Sequence, residues 1–278
     1  MLPGEGKARD RLGKAERAFN RTIAREIKEA DRGIAAVLNL PAGRANDTFR
    51  RSMVKVFNTY TERLLNLQRE ATHAANISTP LQATTVPFPQ SLSDDLMQLI
   101  GVQRKFAQDR FNATLQKTTA RDRRSSLRRD LDALFVRMAT TGRTEEYAQF
   151  RQTIKRILQR NPKTIKGWVW LGVLDERTCP VCWALHGKEF RRDTVMYSHP
   201  NCRCIPLPLA YRESFSEPTG PELFDKLPAD VQRAILGVGK HGLYIDGDIT
   251  LDDLVASKGS GDNRIRYVRP LKRLKGNG

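Results

Sequence analysis

Long hydrophobic runs are missing from this sequence. The longest clearly apolar stretch, WVWLGVL at Trp168–Leu174, falls far below the ~20 residues a membrane span needs. The N-terminal MLPGEGKARDRLGKAERAF has no apolar segment of the secretory kind, so folding in a reducing cytoplasm is expected. Acidic residues are in deficit, 31 against 48 Lys+Arg, which leaves a net charge of +17. Such a balance favours polyanionic partners such as nucleic acid or an acidic protein surface, and says nothing about fold. Aromatic residues make up 7% and are poorly interleaved with the basic ones, which disfavours a base-stacking platform for single strands. Four histidines are too few for metal-dependent nuclease chemistry of the His-Asn-His type. Cysteine is equally scarce, yet all four lie between Cys179 and Cys204.

What is present is mostly helical. Phe19, Ile23, Ile27, Ala30, Ile34 and Val37 recur every three or four residues, as do Phe49, Met53, Val56, Phe57, Tyr60, Leu64 and Leu67. With the turn residues of LPAGRAND between them, residues 1–76 predict an antiparallel helical pair. Pro80, Pro87 and Pro89 interrupt helix over 77–95, a linker or surface arm. Helical spacing resumes with Leu96, Leu99, Ile100, Val102, Phe106 and Phe111, and Ser91 or Ser93 is placed to cap it. Leu127, Leu131, Leu134, Phe135 and Met138 mark another helix. Gly142 is read as its stop, and a new helix is expected from about Glu145 to Gln159.

Two stretches between 121 and 166 are strongly basic. RDRRSSLRR carries Arg121, Arg123, Arg124, Arg128 and Arg129, and Arg151–Lys166 contains Arg151, Lys155, Arg156, Arg160, Lys163 and Lys166 with no acid. Either could follow a phosphate backbone, and either could be a solvated helix face. Of these, Arg121, Arg123, Arg124, Arg128, Arg129, Lys155, Arg156 and Arg160 are the candidate nucleic-acid contacts. After Gly167, WVWLGVL reads as a strand and KEFRR as its hairpin partner. Short helices are expected at LPADVQRAILG and TLDDLVAS, the second with Thr250 and Asp253 as a capping box, ahead of a basic, extended tail. The fold class expected is α+β, with a mostly helical N-terminal region and a small cysteine-rich C-terminal domain. The boundaries read from the sequence are 1–76, 77–95, 96–142, 143–210 and 211–278.

The cysteines run Cys179-x2-Cys182, then His199-x2-Cys202-x-Cys204. Two close thiols from one turn and a second set from a distant turn can complete a tetrahedral site, and thiolates with imidazole suit zinc. Cys179, Cys182, His199 and Cys202 are the favoured ligands. Cys204 is an alternative to His199 or Cys202, and His186 is a weaker candidate. A set of four protein ligands is closed, hence structural. Three other readings stand beside it: buried reduced cysteines, disulfides in one of three connectivities, and a Cys–His nucleophile pair.

The segments RTEEYAQF, GWVWLGVLDERTCPVCWALHGKEF and HPNCRC resemble the phage head morphogenesis family, the minor head proteins typified by the F protein of phage Mu and its counterpart in phage SPP1. The matching positions are Trp168, Asp175, Arg177, Thr178, Cys179, Cys182, Leu185, Gly187, His199, Pro200, Cys202, Arg203 and Cys204. The resemblance covers about residues 143–210. It implies a non-enzymatic minor capsid protein that associates with the portal and other head proteins and lies near double-stranded DNA. The implied location is the head interior or portal vertex of the virion, and the host cytoplasm during assembly. Asp175 and Arg177 are expected to hydrogen-bond across their turn or to pair with each other. The rival readings are a nucleic-acid-acting enzyme or toxin delivered with the genome, and a zinc-stapled DNA-binding module.

Overall fold

The computed structural model describes residues 5–79, 83–199, 201–259 and 265–274. The fold is α+β. Two compact units are built from non-contiguous stretches: 10–72 with 87–146, and 1–9 with 73–86 and 147–278.

The first unit is helical. It contains most of α1 (Glu5–Val37) and α2 (Ala42–Ile77), together with α3 (Asp94–Leu115) and the first two thirds of α4 (Ala120–Arg160). The three-and-four spacing seen in the sequence becomes one buried stripe per helix, running from Phe19 through Phe57, Tyr60 and Phe111 to Met138. Phe49 and Phe111 stack at 4.1 Å. Ser93 caps α3, its Oγ accepting from Leu96 N at 3.4 Å.

The expected helix stop at Gly142 is not there: α4 runs unbroken for 41 residues. Gly142 answers a different need. A Cβ on it would come 2.5 Å from Phe19 Cε1, so the glycine admits the Phe19 ring against the helix backbone. A glycine chosen for close approach and one chosen for a C-cap look alike in sequence.

The second unit holds a three-stranded antiparallel sheet in the order β2-β1-β3, from β1 (Ile165–Leu171), β2 (Glu189–Arg191) and β3 (Ile205–Ala210). The predicted hairpin forms with Trp168 opposite Phe190. Their rings stack at 4.4 Å, and Trp168 Nε1 donates to Thr194 O at 2.9 Å. Strand β3 was not expected, because IPLPLA carries two prolines and is buried almost throughout, so it shows no alternation. Pro206 and Pro208 sit opposite Trp170 and Trp168.

Short helices α5 (Pro180–Leu185), α6 (Gly220–Phe224), α7 (Ala229–Leu236) and α8 (Val238–Ile245) follow. Trp183, Phe224, Leu236, Ile249, Leu251 and Leu254 form their shared core. Thr250 donates its N–H and its hydroxyl to Asp253 Oδ2, but the expected capped helix is only a 3-10 turn, Asp252–Leu254, whose N-cap position is Leu251. The described part of the tail is ordered as β5 (Ile265–Val268), paired with β4 (Val255–Lys258), and α9 (Leu271–Leu274). Two asparagines pin the arm at 83–86. Asn76 exchanges hydrogen bonds with Val86, and Asn161 does the same with Thr84. No described helix is long and apolar enough to cross a membrane.

Candidate metal centre

The first pair of thiols belongs to a turn that starts α5. Cys179 is the N-cap residue and Pro180 takes the first helical position, where its missing N–H costs nothing. Cys182 N donates to Cys179 O at 2.9 Å, which turns both side chains to one side. The second set lies on a tighter turn, closed by Cys202 N donating to His199 O at 3.2 Å. Asn201 adopts φ 62° there, a left-handed conformation that asparagine tolerates. Pro200 lies outside the described residues. Beyond the turn the chain extends, so Cys202 and Cys204 share one side of it and Arg203 takes the other.

The donors meet in two overlapping groups, Cys179 with Cys182 and His199, and Cys182 with Cys202 and Cys204. Within each, the ligand atoms all lie within 4.8 Å of one another, and Cys182 is common to both. Cys182 Sγ is 3.3 Å from Cys179 Sγ and 3.7 Å from Cys202 Sγ. His199 Nε2 is 3.0 Å from Cys179 Sγ and 3.9 Å from Cys182 Sγ. A tetrahedral zinc with Zn–S bonds of about 2.3 Å sets its sulfurs about 3.8 Å apart. The Cys182–Cys202 spacing is close to that, and Cys179–Cys182 is somewhat tighter. All four cysteines are free thiols. Cys182, Cys202 and Cys204 are buried, and Cys179 is half-buried.

Electrostatics separate the thiols. Hydrogen bonding to Cys182, and then to His199, pulls Cys179 down to about 5. Cys182 is pushed up, chiefly because it is the partner that keeps the proton beside Cys179. Cys202 is lowered by its bond to Cys182, and burial raises Cys204. Hydrogen bonding within the cluster thus favours ionisation at Cys179 and Cys202 over Cys182 and Cys204. A cation would let the shared thiol at Cys182 ionise as well.

Around the donors, Asp175 ties the two turns together. Its Oδ1 accepts from Arg203 Nη2 at 2.5 Å, from Thr178 Oγ1 at 2.9 Å and from Arg177 N at 3.1 Å. The Arg203 bond, aided by Thr178, lowers the Asp175 carboxyl to about 2. The backbone of Arg177 thus bonds across the turn as expected. Its side chain is 81% exposed and only 3.9 Å from Asp175, so the working partner of Asp175 is Arg203. Gly187 has φ +84° and donates its N–H to Trp170 O at 2.9 Å. His186 turns away from the thiols: its Nδ1 accepts from Gly172 N at 3.0 Å, and burial lowers it to about 4.

Sequence reasoning missed the groups that brace this region from outside. Arg151 donates to the carbonyls of Cys202 and Cys204. Arg9 donates to Gly172 O at 3.0 Å. A Cβ on Gly220 would collide with Trp183 O, so α6 can start only from a glycine at that point.

The basic positions divide between the units, Arg121–Arg129 in the helical one and Lys155–Arg160 in the other. Arg121, Arg128, Arg129 and Arg156 are exposed. Arg124 forks onto Asp31 with two bonds of 3.0 Å. Arg123 Nε donates to Lys117 O, and Arg160 to Thr85 O. Lys155 is half-buried.

Residues 108–206 match the family model described as phage Mu protein F like protein. The matched stretch holds α4, β1, α5 and all five donors. It supports a phage head morphogenesis protein family. No curated protein and no solved structure matches the chain.

Proposed function

We propose that this chain is a structural minor head protein of a tailed phage, with one zinc ion held by Cys179, Cys182, His199 and Cys202 as the staple of its cysteine-rich region. The observation that carries this is the convergence of donors from two turns, sixteen residues apart, on Cys182 inside the matched segment. Four protein ligands leave no position for substrate or water, so the metal's chemistry here is cross-linking. The chain's own residues orient the ligands: the Cys179 cap position and the left-handed Asn201 each shape one turn, and the Asp175–Arg203 bond ties the two together.

The net charge of +17 and the exposed Arg121, Arg128, Arg129 and Arg156 support a place beside packaged double-stranded DNA or an acidic portal surface. In this reading the protein acts in head assembly at the portal vertex. The protein should be found in purified heads and co-isolate with the portal, and its deletion should abolish assembly. Particles that form and infect normally without it would overturn the reading. Metal analysis of the same material should find about one zinc per chain, as a closed mononuclear site requires. Degradation of DNA or RNA by the pure protein with divalent ions, lost in a site variant, would replace the structural role with an enzymatic one. Contact with DNA should weaken with salt at a slope of about −0.9 per phosphate neutralised.

A further inference from the structure

The basic residue at 151 has an environment unlike that of its neighbours in sequence. Arg151 projects from α4 and is half-buried. Its Nη2 donates to Cys202 O at 2.6 Å and Cys204 O at 3.0 Å, and its Nε to Cys204 O at 3.2 Å. The guanidinium also lies over the Tyr147 ring at 5.9 Å. Among the described residues no carboxylate pairs with it. A full positive charge is thus held against the backbone of two cysteines that are only 3% and 2% exposed.

We infer that Arg151 is the counter-charge and positioning residue of the metal centre, and that it selects a three-thiolate, one-imidazole zinc site over a four-thiolate one. The inference rests on the zinc reading above and deepens it. Cys182, Cys202 and Cys204 are buried while Cys179 and His199 are half-buried, so water solvates the centre only in part and a nearby counter-charge stabilises the net charge on it. Zinc with three thiolates and neutral His199 carries −1, which Arg151 brings to zero. Zinc with four thiolates carries −2 and would leave one negative charge uncompensated. Cys204 then stays a buried thiol beside the centre, and His199 completes the ligand set. The fork adds geometry to charge, since one guanidinium spans both carbonyls and fixes the spacing of the second turn.

The test uses the full chain, with zinc affinity read by competition against a chromophoric chelator and folding checked by circular dichroism. Wild type should bind one zinc. Arg151→Gln should lose about 10- to 100-fold in affinity, the range for loss of an outer-shell partner. Arg151→Lys, which restores the charge without the fork, should recover most of it. Placing Cys179→His in both backgrounds makes the zinc site neutral by itself, so there the Arg151→Gln penalty should vanish. Cys204→Ser should keep one zinc, and an unchanged charge-transfer band with cobalt.

Gln as tight as Arg, Lys as weak as Gln, or a penalty that persists beside Cys179→His would each overturn the role of Arg151. Loss of metal in Cys204→Ser would overturn the three-thiolate set. Failure of wild type to hold one zinc is a separate result, which removes the zinc reading and this inference with it.

Discussion

At the scale of single residues, the two most informative groups are carboxylates with opposite fates. Glu146 is completely buried, and neither of its oxygens has a hydrogen-bond partner. Glu16 from α1 and Glu70 from α2 face it, along with Arg143 one turn back on α4. Arg143 is already taken by Glu16 at 2.6 Å, and Glu70 is paired with Arg11. Burial first, and the Glu16 charge second, raise Glu146 well above the carboxylate range. A folded value above the unfolded one gives stability that is complete below the unfolded value. That stability is lost as pH rises through the folded value. Glu146→Gln keeps the shape without the ionisable proton, so it removes the cost of keeping this carboxyl protonated while the unfolded one ionises, and should stabilise the helical unit at neutral pH by about 1–3 kcal/mol. Glu145 is also raised by burial and contributes the same sign, so the difference between wild type and variant is the measurement. Melting at acid and at mildly alkaline pH should show the wild type losing more. Parallel losses would refute the assignment.

Asp175 behaves in the reverse sense. Its carboxylate is lowered by Arg203, so its stabilisation is present above the unfolded value and disappears as pH falls toward about 2. Asp175→Asn should cost about 1 kcal/mol, discounted from a buried pair because the side chain is a third open to solvent. The variant should also release zinc to a chelator faster, since the two ligand-bearing turns lose their tie. An unchanged release rate would mean the turns are fixed by other contacts.

At the scale of elements, α4 shows how a residue type can mislead. Replacing an ordinary mid-helix glycine by alanine gains roughly 0.5–1 kcal/mol. Gly142→Ala should instead destabilise by about 1–3 kcal/mol, because the new methyl meets Phe19 in a filled core. Denaturant midpoints decide it, and a more stable variant would show that Phe19 moves aside freely. The same reasoning explains what was legible. The helices were readable because their buried stripes follow the 3.6-residue period, as from Phe49 to Leu67. The hairpin was readable because strand-type residues faced a turn at Gly187. Strand β3 was opaque because Pro206 and Pro208 mimic a loop, and nothing local says that Trp168 and Trp170 lie opposite them. The convergence of the Cys and His side chains was legible because their spacing along the chain is one that can bring such groups together. The braces were not, since Arg151 and Arg9 reach their carbonyls from far away in sequence and look like ordinary basic residues.

At the scale of the whole molecule, a reading from left to right divides the chain into successive regions, but its compact units are assembled from separate stretches. Long α1, α2 and α4 contribute residues to both. Only one unit contains the Cys/His cluster. Its sheet and short helices are held by small cores and by the two donor turns. The other carries an extended apolar core from Phe19 to Met138 and contains none of the donors. If zinc is the staple, the two units depend on it unequally. Stripping metal with a strong chelator should lower the melting of the cysteine-rich unit, expose its buried tryptophans Trp168, Trp170 and Trp183, and leave the other unit's helical signal largely intact. All three tryptophans lie in that unit, so their fluorescence reports it selectively, and far-ultraviolet circular dichroism weighs the long helices more heavily. The expected result is a fluorescence transition that moves to lower temperature on chelation and returns when zinc is added back. Fluorescence and circular dichroism transitions that stay together and unmoved by chelation would mean that hydrophobic packing alone holds the cysteine turns.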